Sequence, residues 1–581
     1  MFSSVVWLGL SAALCLLSKG ARAARLVDFQ VAQPPPLPQD AQQCTIRILE
    51  RTFAFSFGDA EVVQFTPPSE CGEPGSWSGI SLNLTVTSNG TQFDRLGIFT
   101  FHNVEIWRTS TPEPTRGDGI IWTYLKDVTR YLPLFAKPGT FILQLDNLIE
   151  TGLDGEYATT VDATFFASSA AHPPAPRADL IVPISTLANN TGNDASVPPG
   201  FSLNVTLPQN AVAAYAELYA SGNGDEEFWY FNVANQFLPD LPSGTTFGQG
   251  PFREVRILVD GQVAGIAFPY AVIFTGGIIP TAWRPITSYG ALDLPTYFLD
   301  LTPFIPVLTD GAAHNITLDV ASAEVDHAIN QNWFVSGLLQ VLLDSSNART
   351  TGNITVYDVA PFARATSTGS AGAGGDLNVT LTTTHSVHIE ADIVAGSGKR
   401  TKVVFTQDLA FSNTQTYLDN ASVQNVLQVS SGSVLSTHNG ATVLRDAFSY
   451  PLAINFSASP DGSNIAATFD HSYERTLLPS PFILGSTIHE RQLAGGAFHL
   501  ASTGNSGSNG TSNNTFTYAD AARNTFDRQV NAFVNNITFD HQSGSLAPAT
   551  TTTTNARAPA SVPLAQAVMR VRLPGGRTVG N

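Results

Sequence analysis

Cysteine and methionine are nearly missing from this 581-residue chain, at three and two residues. With so few thiols and no CxxC pair, a disulfide-dense scaffold, a redox motif and a cysteine zinc site are excluded. Charge is scarce too, at 13% of residues, and basic charge scarcest: 29 Lys and Arg against 47 Asp and Glu, for a net charge of −18. Nucleic acid needs a basic face, so it is excluded as a partner. An acidic working environment suits this balance, because protonation relieves carboxylate repulsion. Long apolar runs are lacking: the longest past the N-terminus, residues 266–280, is broken by Pro269, Gly276 and Gly277. The C-terminus has no hydrophobic tail of the kind a lipid anchor signal requires, so no membrane partner is expected. The 11 histidines show no HxxxH spacing. No GxSxG elbow or phosphate loop occurs either, and no metal or other cofactor is expected.

What is present points outward and to β structure. Residues 5–17 form a short apolar run followed by Ala21-Arg22-Ala23, which reads as a signal peptide over 1–23 with its cleavage site. Cys15 leaves with that segment, so Cys44 and Cys71 remain as a disulfide pair suited to an oxidising compartment. Twelve Asn-X-Ser/Thr sequons, from Asn83 to Asn536, are spread over the chain and predict a glycoprotein. The expected localisation is secreted, extracellular or in the lumen of the secretory pathway or vacuole.

The dominant period is two. Ile80, Leu82, Leu84 and Val86 alternate with polar residues, as do Phe201, Leu203 and Val205, then Phe53, Phe55 and Phe57, then Phe141, Leu143 and Leu145. One buried and one wet face follow, as in antiparallel sandwiches. The 36 prolines and 47 glycines interrupt any long helix. The fold class is all-β, with short strands suggesting sandwiches or jelly rolls. A stiff connector at Pro173-Pro174-Ala175-Pro176 and a Ser/Gly stretch at 367–375 divide the chain. The expected divisions are a first β block over 24–172, a second over 173–366, a flexible linker over 367–375, a third β block over 376–545 and a disordered tail over 546–581.

Four segments mix carboxylates with aromatics and arginines: Phe93-Asp94-Arg95; Glu105-Ile106-Trp107-Arg108-Thr109-Ser110-Thr111-Pro112-Glu113; Asp225-Glu226-Glu227-Phe228-Trp229-Tyr230; and Phe252-Arg253-Glu254 with Trp283-Arg284-Pro285. Each has a plainer explanation as a surface pair, a strand edge, a solvated acidic loop or a packed aromatic with a stacked guanidinium. Acid–base work by carboxylates is the chemistry that remains.

The second segment, continued by Trp122-Thr123-Tyr124-Leu125-Lys126-Asp127-Val128-Thr129-Arg130-Tyr131, resembles the peptide:N-glycanase A family. Glu217-Leu218-Tyr219-Ala220-Ser221-Gly222-Asn223, Gly250-Pro251-Phe252-Arg253-Glu254-Val255 and His471-Ser472-Tyr473-Glu474-Arg475 fit the same family, in order, over about residues 28–540. The resemblance implies hydrolysis of the amide between an asparagine side chain and the first N-acetylglucosamine of an N-glycan, without a metal or cofactor. A more distant resemblance, to bacterial peptide:N-glycosidase F, implies a catalytic unit of two jelly rolls, which leaves the third β block as a further β domain. It places catalytic roles on Asp94, Arg95 and Glu227. Glu226, Trp107, Arg108, Glu105, Trp229, Trp283 and Arg284 are implied to bind substrate, the tryptophans by stacking on sugar. Where the bacterial enzyme has a further glutamate, this chain has Asp146-Asn147. The implied partner is an N-linked glycopeptide or glycoprotein. The rival readings are a non-catalytic glycan-binding or cell-surface β-sandwich and a glycoside hydrolase using two carboxylates.

Overall fold

The structure is a computed structural model that describes residues 25–372, 375–499 and 507–548, together with the short strand pair Val571–Arg572 and Thr578–Val579. The expected signal segment and most of the expected tail lie outside these residues. No helix among the described residues is long and apolar enough to cross a membrane. Among the described residues helix is confined to 3₁₀ stretches, the longest Asn235–Asp240, and to the short α-helices Leu132–Phe135 and Ile305–Leu308, so the all-β expectation holds.

Alternating side chains build the first unit. One sheet runs, in spatial order, Leu26–Asp28, Ile120–Asp127, Gly79–Asn89, Glu156–Phe166 and Gln43–Phe53. The other runs Glu61–Phe65, Gly139–Leu145, Leu96–Phe101 and Val104–Ser110. Ile80, Leu82, Leu84 and Val86 from the first sheet and Phe99, Phe101, Phe141 and Leu143 from the second share one apolar core. The strand pairs are nested: Gln43–Phe53 with Glu156–Phe166, Glu61–Phe65 with Gly139–Leu145, Gly79–Asn89 with Ile120–Asp127, and Leu96–Phe101 with Val104–Ser110. The structure bonds Cys44 to Cys71, with Cα atoms 5.8 Å apart.

A second unit repeats the plan. Phe201–Val205 pairs with His314–Ala321, Ala211–Asn223 with Tyr297–Asp300, and Glu254–Val259 with Gln262–Ala267. Asn332–Leu343 lies between Leu180–Ile184 and Ala211–Asn223. Even the helical turns correspond. Asp127 Oδ1 accepts from Thr129 N and Asp300 Oδ1 from Thr302 N, each at 2.8 Å, and each turn leads into one of the two short helices. The side chain holds an N–H that the first turn leaves unpaired. The words Asp-Val-Thr and Asp-Leu-Thr carry this internal repeat, which the sequence reading passed over.

The third body is one eleven-stranded sheet from Thr351 to Ser543. From Leu377 onward each strand pairs with the next, and the longest, Arg400–Leu418, has 19 residues. Its inner face, including Phe405, Phe411, Ile454 and Phe469, joins the core of the second unit. Two expectations fail here. Residues 367–371 belong to the strand Arg364–Ala371, which pairs along Leu377–Val394, rather than to a flexible linker. The third block also begins at Thr351, because Thr351–Val359 pairs with that same strand. Ser/Gly content signals a linker only when no partner offers backbone hydrogen bonds; here an exposed strand edge does, and threonine suits a strand. The alternation Phe53, Phe55, Phe57 also breaks: Phe53 is buried, while Phe55 and Phe57 are 67% and 65% exposed on the turn that follows.

Candidate functional site

A cleft of about 810 Å³ takes its lining from both units. Its carboxylates arrive from the ends of neighbouring strands. Leu96–Phe101 and Val104–Ser110 pair with Leu96 opposite Ser110. Asp94 and Arg95 therefore precede one strand, and Glu113 follows the other, at the same end of the sheet. Arg95 N donates to Thr111 Oγ1 at 2.9 Å and Thr111 N to Arg95 O at 2.9 Å, tying the two segments together. Tyr157 Oη donates to Phe93 O at 2.8 Å from below. Arg95 Nη2 donates to Gln92 Oε1 at 2.6 Å, and its buried Nε has no protein partner.

Gly276, from the second unit, closes against this pair. A methyl group added there would lie 2.3 Å from Asp94 Oδ1 and 2.5 Å from Glu113 Oε1. The two carboxyl oxygens therefore stand within about 5 Å of each other, where like charges oppose ionisation. Burial and the charge of Asp94 push the Glu113 carboxyl up to about 8, against the pull of Arg284 and Arg95. Glu113 thus keeps its proton across the acidic and neutral range.

Glu227 reaches the cleft by a tight turn. The strand Ala211–Asn223 ends at Gly224, whose φ of +62° is left-handed, and a single 3₁₀ turn Gly224–Glu226 follows. Gly222 permits the turn to fold back, since a methyl group there would lie 2.3 Å from Glu226 O. The turn parts the two glutamates. Glu227 lines the cleft with Phe228, whereas Glu226 points inward. Arg253 donates to both Glu226 oxygens at 2.5 and 2.6 Å, Trp333 Nε1 donates at 2.7 Å and Asn330 N at 2.8 Å. Burial alone would raise this carboxyl, but Arg253 and these donors hold it below the usual carboxylate range.

Asp94, Arg95 and Glu227 thus share one cleft, and the residues expected to bind substrate do not line it. Trp107, Trp229 and Trp283 are buried. Trp107 stacks on Phe99 at 4.7 Å and donates to Leu292 O at 3.0 Å; Trp283 packs on Phe469 at 4.8 Å and donates to Gly277 O at 2.8 Å. Trp229 lies between Trp333 and Phe411. Each of these large rings has more apolar surface to gain from the core than from the mouth of a cleft. Glu105 and Arg108 form a fully buried two-pronged pair at 2.7 and 2.8 Å. Arg108 Nη1 then donates to Ser221 Oγ at 2.9 Å and Phe334 O at 2.7 Å, joining the first unit to the second beneath the cleft. Arg284 is buried near Glu113 and Asp28, with Nε and Nη2 unpartnered, so its charge acts on Glu113 from behind.

Glu113, Phe57 and Asp194 line the cleft with no role given them by the sequence, and Asp146 lines it at the departure from the bacterial enzyme. Glu113 was within a quoted motif, and its placement between Pro112 and Pro114 just past a strand was the available signal. Phe57 supplies an exposed aromatic at the rim. Its turn is braced by Asp146, which also lines the cleft: Gly58 N donates to Oδ1 at 3.0 Å and Gln144 Nε2 to Oδ2 at 2.9 Å. Asn147 is buried instead, donating to Phe53 O at 3.2 Å and Gly155 O at 3.0 Å. Asp194 completes the acidic wall, raised to about 6 by burial, with Arg108 opposing.

Comparison with known proteins follows this geometry. A family model described as peptide N-acetyl-β-D-glucosaminyl asparaginase amidase A matches residues 34–360, which hold every residue of the cleft. A model of the C-terminal domain of that group matches residues 378–452. The peptide-N4-(N-acetyl-β-glucosaminyl)asparagine amidase A of Prunus dulcis is 36% identical over 361 residues, covering 58% of this chain and 60% of that protein. Among solved structures, the T13 infectious bursal disease virus particle aligns over 52% of this chain and 70% of its own, at 10% identity and a TM-score of 0.14. The match to the family model extends over more than half the sequence, and the chain belongs to the peptide N-acetyl-β-D-glucosaminyl asparaginase amidase A family.

Proposed function

We propose that this chain is a secreted amidase that hydrolyses the bond between an asparagine side chain and the first N-acetylglucosamine of an N-glycopeptide. The observation that carries the reading is the pair of carboxyls, Asp94 and Glu113, pressed together in an open cleft that faces Glu227 from the other unit. Amide hydrolysis needs a base for water and an acid for the leaving nitrogen, and one protonated and one ionised carboxyl supply both.

In this mechanism Asp94 takes a proton from the water whose oxygen bonds to the amide carbon. Glu113, protonated below about pH 8, gives its proton to the nitrogen as the carbon–nitrogen bond breaks. The proton on Asp94 then passes to Glu113, and the pair is reset. The products are an aspartate side chain and a glycosylamine. Arg95 orients Asp94 and favours its charged form. Glu227 and Asp146 accept hydroxyl or amide hydrogens of the sugar, and the exposed face of Phe57 offers the stacking surface that the buried tryptophans do not. Secretion is supported by the Cys44–Cys71 bond and by the sequon asparagines, none of which is buried.

The test is to incubate the mature protein with a defined N-glycopeptide at about pH 5, where Glu113 holds its proton, and to weigh the peptide. Loss of the whole glycan with asparagine converted to aspartate is expected. A peptide that keeps one N-acetylglucosamine would identify a glycoside hydrolase. An unchanged peptide that nevertheless binds would identify a glycan-binding module.

A further inference from the structure

Among the described residues, the cleft draws its lining from the two nested units and none from the C-terminal sheet. One patch of that sheet is nevertheless shaped to a segment that does line it. Phe274, Gly276 and Pro280 belong to the cleft wall, and Gly276 abuts both Asp94 and Glu113. Thr275 Oγ1 donates to Thr111 O at 2.7 Å, fixing the segment to the first unit. Its other end rests on the sheet. Gly496 and Gly510 are direct cross-strand partners. A methyl group on Gly510 would lie 2.0 Å from Thr281 O, and one on Gly496 would lie 2.8 Å from Ile279 Cγ2. Thr281 Oγ1 donates to Asn509 O at 2.7 Å, and the Trp283 ring packs on Phe469 of the same sheet at 4.8 Å.

Between these anchors the backbone is tightly turned. Gly277 N donates to Phe274 O, Ile279 N to Gly277 O and Ala282 N to Ile279 O, at 2.9, 2.7 and 2.9 Å. Trp283 Nε1 closes the loop on Gly277 O at 2.8 Å. These bonds tie the backbone on either side of Thr281 to Gly277, the neighbour of Gly276.

We propose that the C-terminal sheet is a positioning element of the active site, in which the glycine pair Gly496 and Gly510 seats residues 279–281 so that Gly276 holds Asp94 and Glu113 in their working geometry. The inference rests on the amidase reading above. It gives the third body a part in catalysis without any contact to substrate.

The test is Gly510→Ala in the full chain, where the three nearest obstacles to the new methyl group all belong to Thr281. Gly495→Ala is the control: it faces the opposite side of the same strand and meets Ala467 and Thr468 of the sheet itself. Misplacement of reacting groups by about 1 Å costs on the order of a hundredfold in rate, so a kcat loss of at least about tenfold is expected for Gly510→Ala, with KM changed far less. Glu113 is faced by Asp94, Arg95, Arg284 and the Tyr157 hydroxyl; with Gly276 withdrawn it is better solvated. The alkaline limb of its rate profile should then shift to lower pH by about one unit. Gly495→Ala should keep the wild-type kcat and limb, and both variants should melt within a few degrees of each other. Wild-type kcat and an unmoved limb in folded Gly510→Ala would overturn the proposal.

Should Gly510→Ala fail to fold, Thr281→Val removes only the hydrogen bond to Asn509. A severalfold kcat loss with the same shift of limb is then expected, and unchanged kinetics would overturn the seat. A wild-type protein inert on glycopeptides would overturn the amidase reading instead. The seat is then judged by amide exchange over residues 276–283: faster exchange in Gly510→Ala but not in Gly495→Ala supports it, and equal exchange refutes it.

Discussion

A carboxyl group buried beside another carboxyl gives up its proton reluctantly, and Glu113 is so placed, between burial and Asp94 on one side and Arg284 on the other. Glu113→Gln keeps the shape and the burial but has no proton to transfer. Removing such a group costs about 10²- to 10⁴-fold in rate, so kcat should fall by that amount while substrate still binds. The same substitution removes a group that resists ionisation in the fold. The variant should therefore melt higher than the wild type at pH 8 and nearly level with it at pH 5. Kinetics and thermal melts at both pH values check this. A folded variant with full activity would take the proton-donor role away from Glu113.

Among the supporting elements, Arg108 lies on the strand Val104–Ser110 and fastens the strand ends Ser221 and Phe334 of the second unit, while its charge is neutralised by Glu105. Arg108→Met leaves Glu105 buried without its counter-charge, which costs about 3–5 kcal/mol for a pair of this kind. The urea midpoint should fall accordingly, and the double variant Arg108→Met with Glu105→Gln should recover a large part of the loss. The strands themselves were readable, because Ile80, Leu82, Leu84 and Val86 can bury only one face of an extended chain. Asp94, Arg95 and Glu227 were readable as candidates through a family resemblance, and the structure brings them to one cleft. The same resemblance names Arg108 and the three tryptophans, but their buried places are not legible in it, since a motif records which residues occur and not which way they point. Glu226 and Glu227 are adjacent in sequence, yet a turn made possible by Gly224 sends them to opposite environments. Residues 367–371 misled for a related reason: their partner strand is a tertiary fact that local composition does not contain.

For the molecule as a whole, buried titratable groups fix the pH at which it is most stable, and they act in opposite directions. Burial raises Glu113 from an ordinary 4.5, and Asp28 from 3.8, each to about 8. Burial drives Glu490, in the C-terminal sheet, upward as well. Between about pH 4.5 and 8 the folded chain keeps protons on these carboxyls that the unfolded chain has lost, so stability falls as pH rises through that window. Each such group contributes at most about 1.4 kcal/mol per pH unit. His471, buried against Tyr270 with ring centroids 4.7 Å apart, is lowered by burial from 6.5 to about 3. Below pH 6.5 the unfolded chain gains a proton there that the folded chain refuses, so stability also falls as pH drops toward 3. Three carboxyls outweigh one imidazole over most of that range, so the two slopes balance near about pH 4, and urea midpoints measured from pH 3 to 9 should peak there. His471→Phe should flatten the acid side and leave the alkaline side as it is. Stability that climbs steadily from pH 5 to 8 would mean that these carboxyls are ionised in the fold. Glu113 would then have no proton to give, and the mechanism built on the Asp94–Glu113 pair would fall with it.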